Sequence, residues 1–333
     1  MYKYFIFIVV LFFSCSAQVF ADNDYLERSE VKKFIDDFSE KNNYPKDSLN
    51  ELFKNVTTQT SVLEAIARPA EKKKNWEEYR KIFITDKRIK EGLAFWSENA
   101  PILAAAEREY GVPPEIVVAI IGVETFYGRY KGKHPVLDSL VTLGFDYPPR
   151  QKFFRSELEH FLLLSQEEKL NPIEIKGSYA GAMGKSQFIS SSYRHYAVDF
   201  DQDGTRDLWG SNEDAIGSVA NYFKMHGWKA GEIITVPAEV EGKRYKQLLE
   251  KGLKPVASVS ELPQYDVTAE HNAAAQQAVA LLEFNKNNSD EYWLGFNNFY
   301  VITRYNHSHM YAMAVYQLSQ KIKKDIKDYV VQN

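Results

Sequence analysis

Two hydrophobic periods run along this chain. From residue 28 to 66 the apolar positions recur every three or four residues: first Val31, Phe34, Ile35 and Phe38, then Leu49, Leu52 and Phe53. That is the spacing of one buried helix face, and it predicts a lead-in of short amphipathic helices. A basic, polar patch from Glu71 to Lys74 and the stretch Trp76 to Phe83 come next, followed by a long helical pattern from Ile89 to Tyr110. Gly111 supplies a C-cap for that helix, and Pro113-Pro114 cannot continue it. From Pro114 to Val123 the residues are apolar almost all round, which marks a buried helix. Helical spacing returns at 151–164, 213–225 and 308–327, where Ser308 is a suitable N-cap.

Between about 232 and 297 the period shortens to two. Ile234, Val236, Ala238 and Val240 alternate with Thr235, Pro237, Glu239 and Glu241. The runs Val279 to Phe284 and Tyr292 to Phe296 flank the turn-forming Asn285 to Ser289, which reads as a hairpin. The expected fold is mainly α (α+β), with a small antiparallel β insertion.

The N-terminus follows neither period. Lys3 precedes an apolar run from Phe5 to Phe13, and a small-residue site closes at Ala21, the layout of a secretory signal. The run is too short to span a bilayer, and no later stretch reaches the roughly 18 to 20 apolar residues that spanning requires. Cleavage after Ala21 removes Cys15, the only cysteine, so the remaining chain forms no disulfide. Val19 and Ala21 suit such cleavage, whereas Phe12, Phe13 and Ser14 suit a lipoprotein site at Cys15 poorly. Loss of residues 1–21 takes away Lys3 alone among the charges, moving the net charge from −4 to −5. That balance lacks the basic surface a nucleic-acid partner needs. The 21 Tyr and 21 Phe include rings able to line a sugar groove, although most belong to the core.

Three stretches carry residues able to do chemistry. Glu124 closes the apolar helix and is stacked by helical spacing on Val117, Ile120 and Ile121. Burial penalises an ionised carboxylate, so its pKa is expected above the roughly 4.3 of free Glu. A carboxyl still protonated near neutral pH can protonate a glycosidic oxygen and then act as a base. The competing reading is a structural ion pair with Arg129 or Arg150.

In GSYAGAMGKSQF (177–188) the glycines let backbone approach a ligand while Ser178 and Gln187 hydrogen-bond it; taken alone, the run reads more simply as a tight packing turn. Asp199, Asp201, Asp203 and Gly204 form D-x-D-x-D-G, the opening of an EF-hand-type calcium loop to which the Thr205 carbonyl adds a ligand. Gly210 stands where that loop wants a bidentate Glu, so closure falls to Asp214 or Glu213, and a solvated acidic turn is the alternative. His307 and His309 lack ligand partners, and neither a nucleophile elbow nor phosphate-loop spacing occurs, which leaves serine and zinc hydrolysis unsupported.

The blocks GVPPEIVVAIIGVETFYG, GSYAGAMGKSQF, SSSYRHYAVDF, DAIGSVANYFKMHGW and NNFYVITRYNHS occur in the order found in the membrane-bound lytic murein transglycosylase B family and its soluble form, which the chain resembles from about Trp76 to Gln317. The resemblance implies a lysozyme-like catalytic core. The domains would be a signal at 1–21, an N-terminal helical domain at 22–108, the core with its calcium loop at 109–231, a β-rich domain at 232–297 and C-terminal helices completing the core at 298–333.

The family's catalytic acid falls on Glu124. Ser178, Gln187, Tyr79, Tyr222, Tyr305, Asn306 and Tyr311 would line the glycan groove, and Asp199, Asp201, Asp203, Thr205 and Asp214 would surround calcium. No organic cofactor is implied. The substrate would be the glycan strand of peptidoglycan, cut with formation of a 1,6-anhydromuramic acid end by a monomer in the periplasm, free or anchored through Cys15. Cell-wall synthesis or division proteins would be its further partners. The chain departs from the family pattern at Ser186, where a glycine is usual, at Ser190, and in an acidic loop one residue longer before Asp214.

Two rivals remain at this point. A lysozyme-type hydrolase would need a second carboxylate, for which Asp138 and Asp146 are available. A non-catalytic glycan-binding protein would have no use for an acid of raised pKa.

Overall fold

The spacing that predicts the lead-in helices is the spacing they bury. Helix α1 (Ser29–Asn42) buries Val31, Phe34, Ile35 and Phe38, and α2 (Lys46–Lys54) buries Leu49 and Phe53. Phe34 stacks on Phe38 at 6.0 Å and meets Phe53 at 5.9 Å. The structure, a computed structural model, describes residues 25–67, 74–270, 273–287 and 289–332. The signal segment with Cys15 and Ala21, and most of the 71–74 patch, lie outside the described residues.

Two compact units divide between Thr58 and Gln59. The first holds α1 and α2. The second begins with α3 (Thr60–Ala67), α4 (Trp76–Phe83), α5 (Asp86–Glu98), α6 (Ala100–Tyr110) and α7 (Pro114–Thr125). The N-terminal unit thus ends well before residue 108, because α4 to α6 pack on the helices that follow them. The single helix expected from Ile89 to Tyr110 is two helices. Pro101, in the first turn of α6, has no N–H to continue the ladder, and at the break the Asn99 amide donates to the Phe95 carbonyl at 2.7 Å.

Helix α7 is the centre of this unit: Ile116 to Ile121 are fully buried, enclosed by α5, α6, α11 (Asn212–Met225) and α14 (His309–Gln332). Between α7 and α11 the chain forms β1 (His134–Pro135), α8 (Val136–Asp146), α9 (Gln151–Glu167), β2 (Lys176–Gly177) and α10 (Ser190–Tyr196). β1 pairs antiparallel with β2, and α8 packs on α9.

The β insertion comprises β3 (Thr235–Val240), α12 (Tyr245–Leu249), β4 (Ala257–Ser258), β5 (Val267–Thr268), β6 (Ala278–Asn285) and β7 (Asp290–Gly295), with the antiparallel order β4-β6-β7-β3-β5. One face buries Val279, Leu281 and Leu294 with Leu248 and Leu262. From the other, Phe284 meets Trp76 of α4 at 5.1 Å. The hairpin tip is fastened where Asn287 bonds Asn75 at 2.6 Å and Glu77 at 3.0 Å. Helix α13 (Asn297–Tyr305) and α14 complete the unit, and the Ser308 hydroxyl caps α14 by accepting from the Tyr311 N–H at 3.3 Å. Among the described residues no helix is long and apolar enough to cross a membrane.

Candidate active site

Glu124 lies in the last turn of α7. The residue keeps some exposure, yet burial of its carboxyl pushes the pKa up to about 7. The opposing influence is the Tyr311 hydroxyl, which donates to Oε1 at 2.5 Å and favours the charged form. Among the described residues no second carboxylate enters this balance. The ion pair that the sequence allowed does not form, because Arg129 is held by Glu91 at 2.8 Å and Arg150 lies over the Phe153 ring at 4.2 Å. Asp138 accepts a hydrogen bond from Gln59 at 3.0 Å.

Three tyrosines surround the acid. Tyr311 and Tyr305 have pKa values well above normal, by burial first and the Glu124 charge second, and Tyr79 is raised in the same order. All three therefore remain hydroxyl donors. Tyr305 donates to the Ser186 carbonyl at 2.6 Å. Tyr222 stands one layer back: it is buried, its hydroxyl donates to the Arg304 carbonyl at 2.6 Å, and its ring supports Tyr305 at 4.8 Å. Asn306 is exposed just beyond α13.

The glycine-rich run folds back on itself through Met183 and Phe188, which exchange backbone hydrogen bonds of 2.8 and 3.1 Å. The Ser178 hydroxyl accepts from the Ala182 N–H at 3.0 Å and so keeps its own proton for a ligand. Gln187, in left-handed backbone (φ 51°), donates to the Lys131 carbonyl at 3.2 Å and the Gly184 carbonyl at 3.0 Å. Ser186 and Ser190 are fully buried and their hydroxyls find no partner among the described residues.

What holds Glu124 in place was not visible in any motif. Thr125 donates to the Lys185 carbonyl at 2.9 Å, tying the end of α7 to the glycine run. Phe126 and Tyr127 then take left-handed backbone (φ 52° and 60°). Arg88 of α5 sits over the Phe126 ring at 4.9 Å and donates to the Gly122 carbonyl at 3.1 Å, while the Tyr127 hydroxyl donates to the Arg88 carbonyl at 2.8 Å.

Removing the Tyr311 hydroxyl gives the first test. Its hydrogen bond stabilises the carboxylate, so Tyr311→Phe should raise the Glu124 pKa further, by about one unit. The alkaline limb of the pH–rate profile should move to higher pH by that amount, and an unmoved limb in the folded variant would contradict the contact.

In the acidic loop, Asp199, Asp201 and Asp214 each present a carboxylate oxygen, and the three lie within 4.8 Å of one another. Asp214 is fully buried, and its two oxygens accept from the N–H groups of Phe200 and Asp207, each at 2.7 Å. None of the three forms a salt bridge among the described residues. Asp203 faces Thr205 instead, accepting from its N–H at 2.9 Å and its hydroxyl at 2.7 Å. Gly204 turns the loop with φ 94°.

Known proteins resemble this chain in sequence and fold. Residues 27–320 match the family described as Transglycosylase SLT domain. Membrane-bound lytic murein transglycosylase B of Escherichia coli K12 is 42% identical over 308 residues, 90% of this chain and 84% of that protein. The soluble lytic transglycosylase SltB1 of Pseudomonas aeruginosa is 49% identical, over 89% of this chain and 98% of that one, with a TM-score of 0.85. The Escherichia coli lytic transglycosylase Slt35 in complex with calcium is 41% identical, over 91% of this chain and 95% of that one, with a TM-score of 0.82. A lysozyme-like helical fold and these matches lead to one conclusion: the chain belongs to the SLT-domain family of lytic murein transglycosylases, enzymes that cut peptidoglycan.

Proposed function

We propose that Glu124 alone serves as both acid and base in cutting the bond between N-acetylmuramic acid and N-acetylglucosamine. The observation that carries this is a single carboxyl with its pKa raised to about 7 beside Tyr311. Protonated, Glu124 donates to the bridging oxygen, and the bond from that oxygen to the muramoyl C1 breaks. The muramoyl 2-acetamido oxygen stabilises the electron-poor C1, as in substrate-assisted glycosidases. Glu124, now a carboxylate, takes the proton of the muramoyl 6-hydroxyl as that oxygen bonds C1, and a 1,6-anhydro ring closes. Tyr79, Tyr305 and Tyr311 border the acid, with Ser178, Gln187 and Asn306 as the polar contacts of the groove and Tyr222 as a support for Tyr305.

Product chemistry tests the proposal. Soluble muropeptides should be one water lighter than hydrolysis products and should resist borohydride reduction. Reducing ends in their place would make the enzyme a muramidase.

The acidic loop fits a hard cation, since its converging donors are carboxylate oxygens and one of them is buried. Asp199, Asp201 and Asp214 would hold calcium, with Asp203 and Thr205 shaping the loop around it; its contribution would be to hold the loop together. Calcium at about 100 times its dissociation constant should add about 2.7 kcal/mol of stability, and Asp199→Ala with Asp201→Ala should remove that increment. A melting temperature indifferent to calcium would favour the solvated-turn reading. The layout of residues 1–21 supports export to the compartment that holds the polymer.

A further inference from the structure

The loop after the catalytic helix carries a group of cations that the reaction does not use. Gly132 and Gly177 touch backbone to backbone: a Cβ on Gly132 would lie 2.0 Å from the Gly177 carbonyl carbon and 2.5 Å from the Ser178 nitrogen. That contact and the β1–β2 register, with His134 opposite Gly177 and Pro135 opposite Lys176, bring Lys133 and Lys176 onto one two-stranded ribbon, while the Lys131 ammonium donates to the Trp209 carbonyl at 3.2 Å. Lys133 and Lys176 are exposed. Lys131 is near enough to Lys185 to help lower the pKa of that ammonium, after the larger effect of burial.

Of the neighbouring acids among the described residues only Glu91 is paired with a cation, Arg129, while Asp207, Glu213 and Asp214 act on the Lys185 ammonium in the opposite sense to Lys131. Glu174 accepts from Asn171 at 2.9 Å, and Asp207 accepts from the N–H groups of Trp209 and Gly210 at 2.8 and 2.9 Å. Among the described residues no carboxylate forms an ion pair with Lys131, Lys133 or Lys176. In a chain with more acids than bases, the exposed Lys133 and Lys176 on one short ribbon make a local positive patch, with the Lys131 ammonium behind it.

Two exposed rings neighbour these lysines along the chain. Tyr130 is 66% exposed and Tyr179 40% exposed. Tyr130 is anchored by its N–H on the Thr125 carbonyl at 2.9 Å and meets the Phe126 ring at 6.2 Å. The patch also joins the groove directly, since Gln187 bonds the Lys131 carbonyl and Ser178 precedes Tyr179.

We propose that Lys133 and Lys176, with Lys131, Tyr130 and Tyr179, form a contact site for the peptide stem carried by the muramoyl residue. The proposal rests on the reading that the groove takes a peptidoglycan strand. A stem is a short peptide joined to the muramoyl lactyl group, rich in free carboxylates and small methyl side chains. The ammonium groups meet the first and the tyrosine faces the second, so the site adds binding on stem-bearing strands without touching the bond that is cut.

Kinetics on two substrates test this: intact strands, and the same strands stripped of stems by an amidase. For wild type, KM should be lower on stem-bearing strands, and the difference should shrink as salt is raised. Lys133→Gln with Lys176→Gln should raise KM on stem-bearing strands about three- to tenfold at low salt, with kcat and the stripped strands unaffected. Lys133→Arg with Lys176→Arg should restore it. Equal loss on both substrates, or no loss on either, overturns the site. A wild-type enzyme that releases no anhydro ends from either substrate fails the groove reading and takes the site with it.

Discussion

Glu124→Gln should lose at least about 10²-fold in turnover and yet be harder to melt above neutral pH. The two effects share one cause. In the folded chain the carboxyl titrates at about 7, against an ordinary value of 4.5. Below pH 4.5 both the folded and the unfolded chain hold the proton, and the residue is neutral to stability. Between pH 4.5 and 7 the unfolded chain gives up this proton while the folded chain still holds it, so the folded state loses stability across that window. A shift of that size corresponds to about 3 kcal/mol, absent in acid and fully expressed above pH 7. Gln is uncharged throughout and its carbonyl still accepts from Tyr311, so it escapes the penalty. Melting curves of both proteins at pH 5 and pH 8 would show a gap that opens with pH. A variant that is less stable than wild type at pH 8, or that turns over normally, would remove Glu124 from its role.

Gly132→Ala should lower stability by about 2–4 kcal/mol, or a melting shift of roughly 4–10 °C, and weaken activity with it. Its backbone has φ 97°, where a side chain is strained even in open space. Here the space is closed as well, because the obstruction is the backbone of Gly177 and Ser178. Relief would require β1 and β2 to part. That separation would move Ser178 on one side and the Lys131 carbonyl that orients Gln187 on the other. Urea unfolding with a midpoint unchanged from wild type would show that the contact yields more easily than this.

What could be read in the sequence was whatever repeats locally. The faces of α1 and α2, the all-round burial of α7, the Ser308 cap and the β6–β7 hairpin follow from spacing over a few residues. Helix α8 escaped because it is buried on nearly every side and its two acids, Asp138 near one end and Asp146 at the other, offered no polar stripe to set the period. The break at Asn99 escaped because the apolar pattern runs straight through it. In the site, Glu124 stood out by its apolar setting, whereas the hydroxyl that tunes it is 187 residues away. No window of sequence contains that pair. The acidic loop was more legible: the missing Glu at the twelfth position pointed to Asp214 or Glu213, and it is Asp214 that lies with Asp199 and Asp201, whereas nothing in the spacing showed that Asp203 faces Thr205.

The left-handed pair Phe126 and Tyr127 makes the acid dependent on the completed fold. Neither is glycine, and each such residue costs about 1–3 kcal/mol in isolation. Their compensation comes from Arg88, on a helix that the chain forms separately, so the end of α7 has no local route to its native shape. Loosening of α5 frees the turn, and Glu124 loses its aim at the same moment. Catalytic competence and cooperative folding are one transition here: a half-folded chain carries the right carboxyl in the wrong place and leaves the wall uncut.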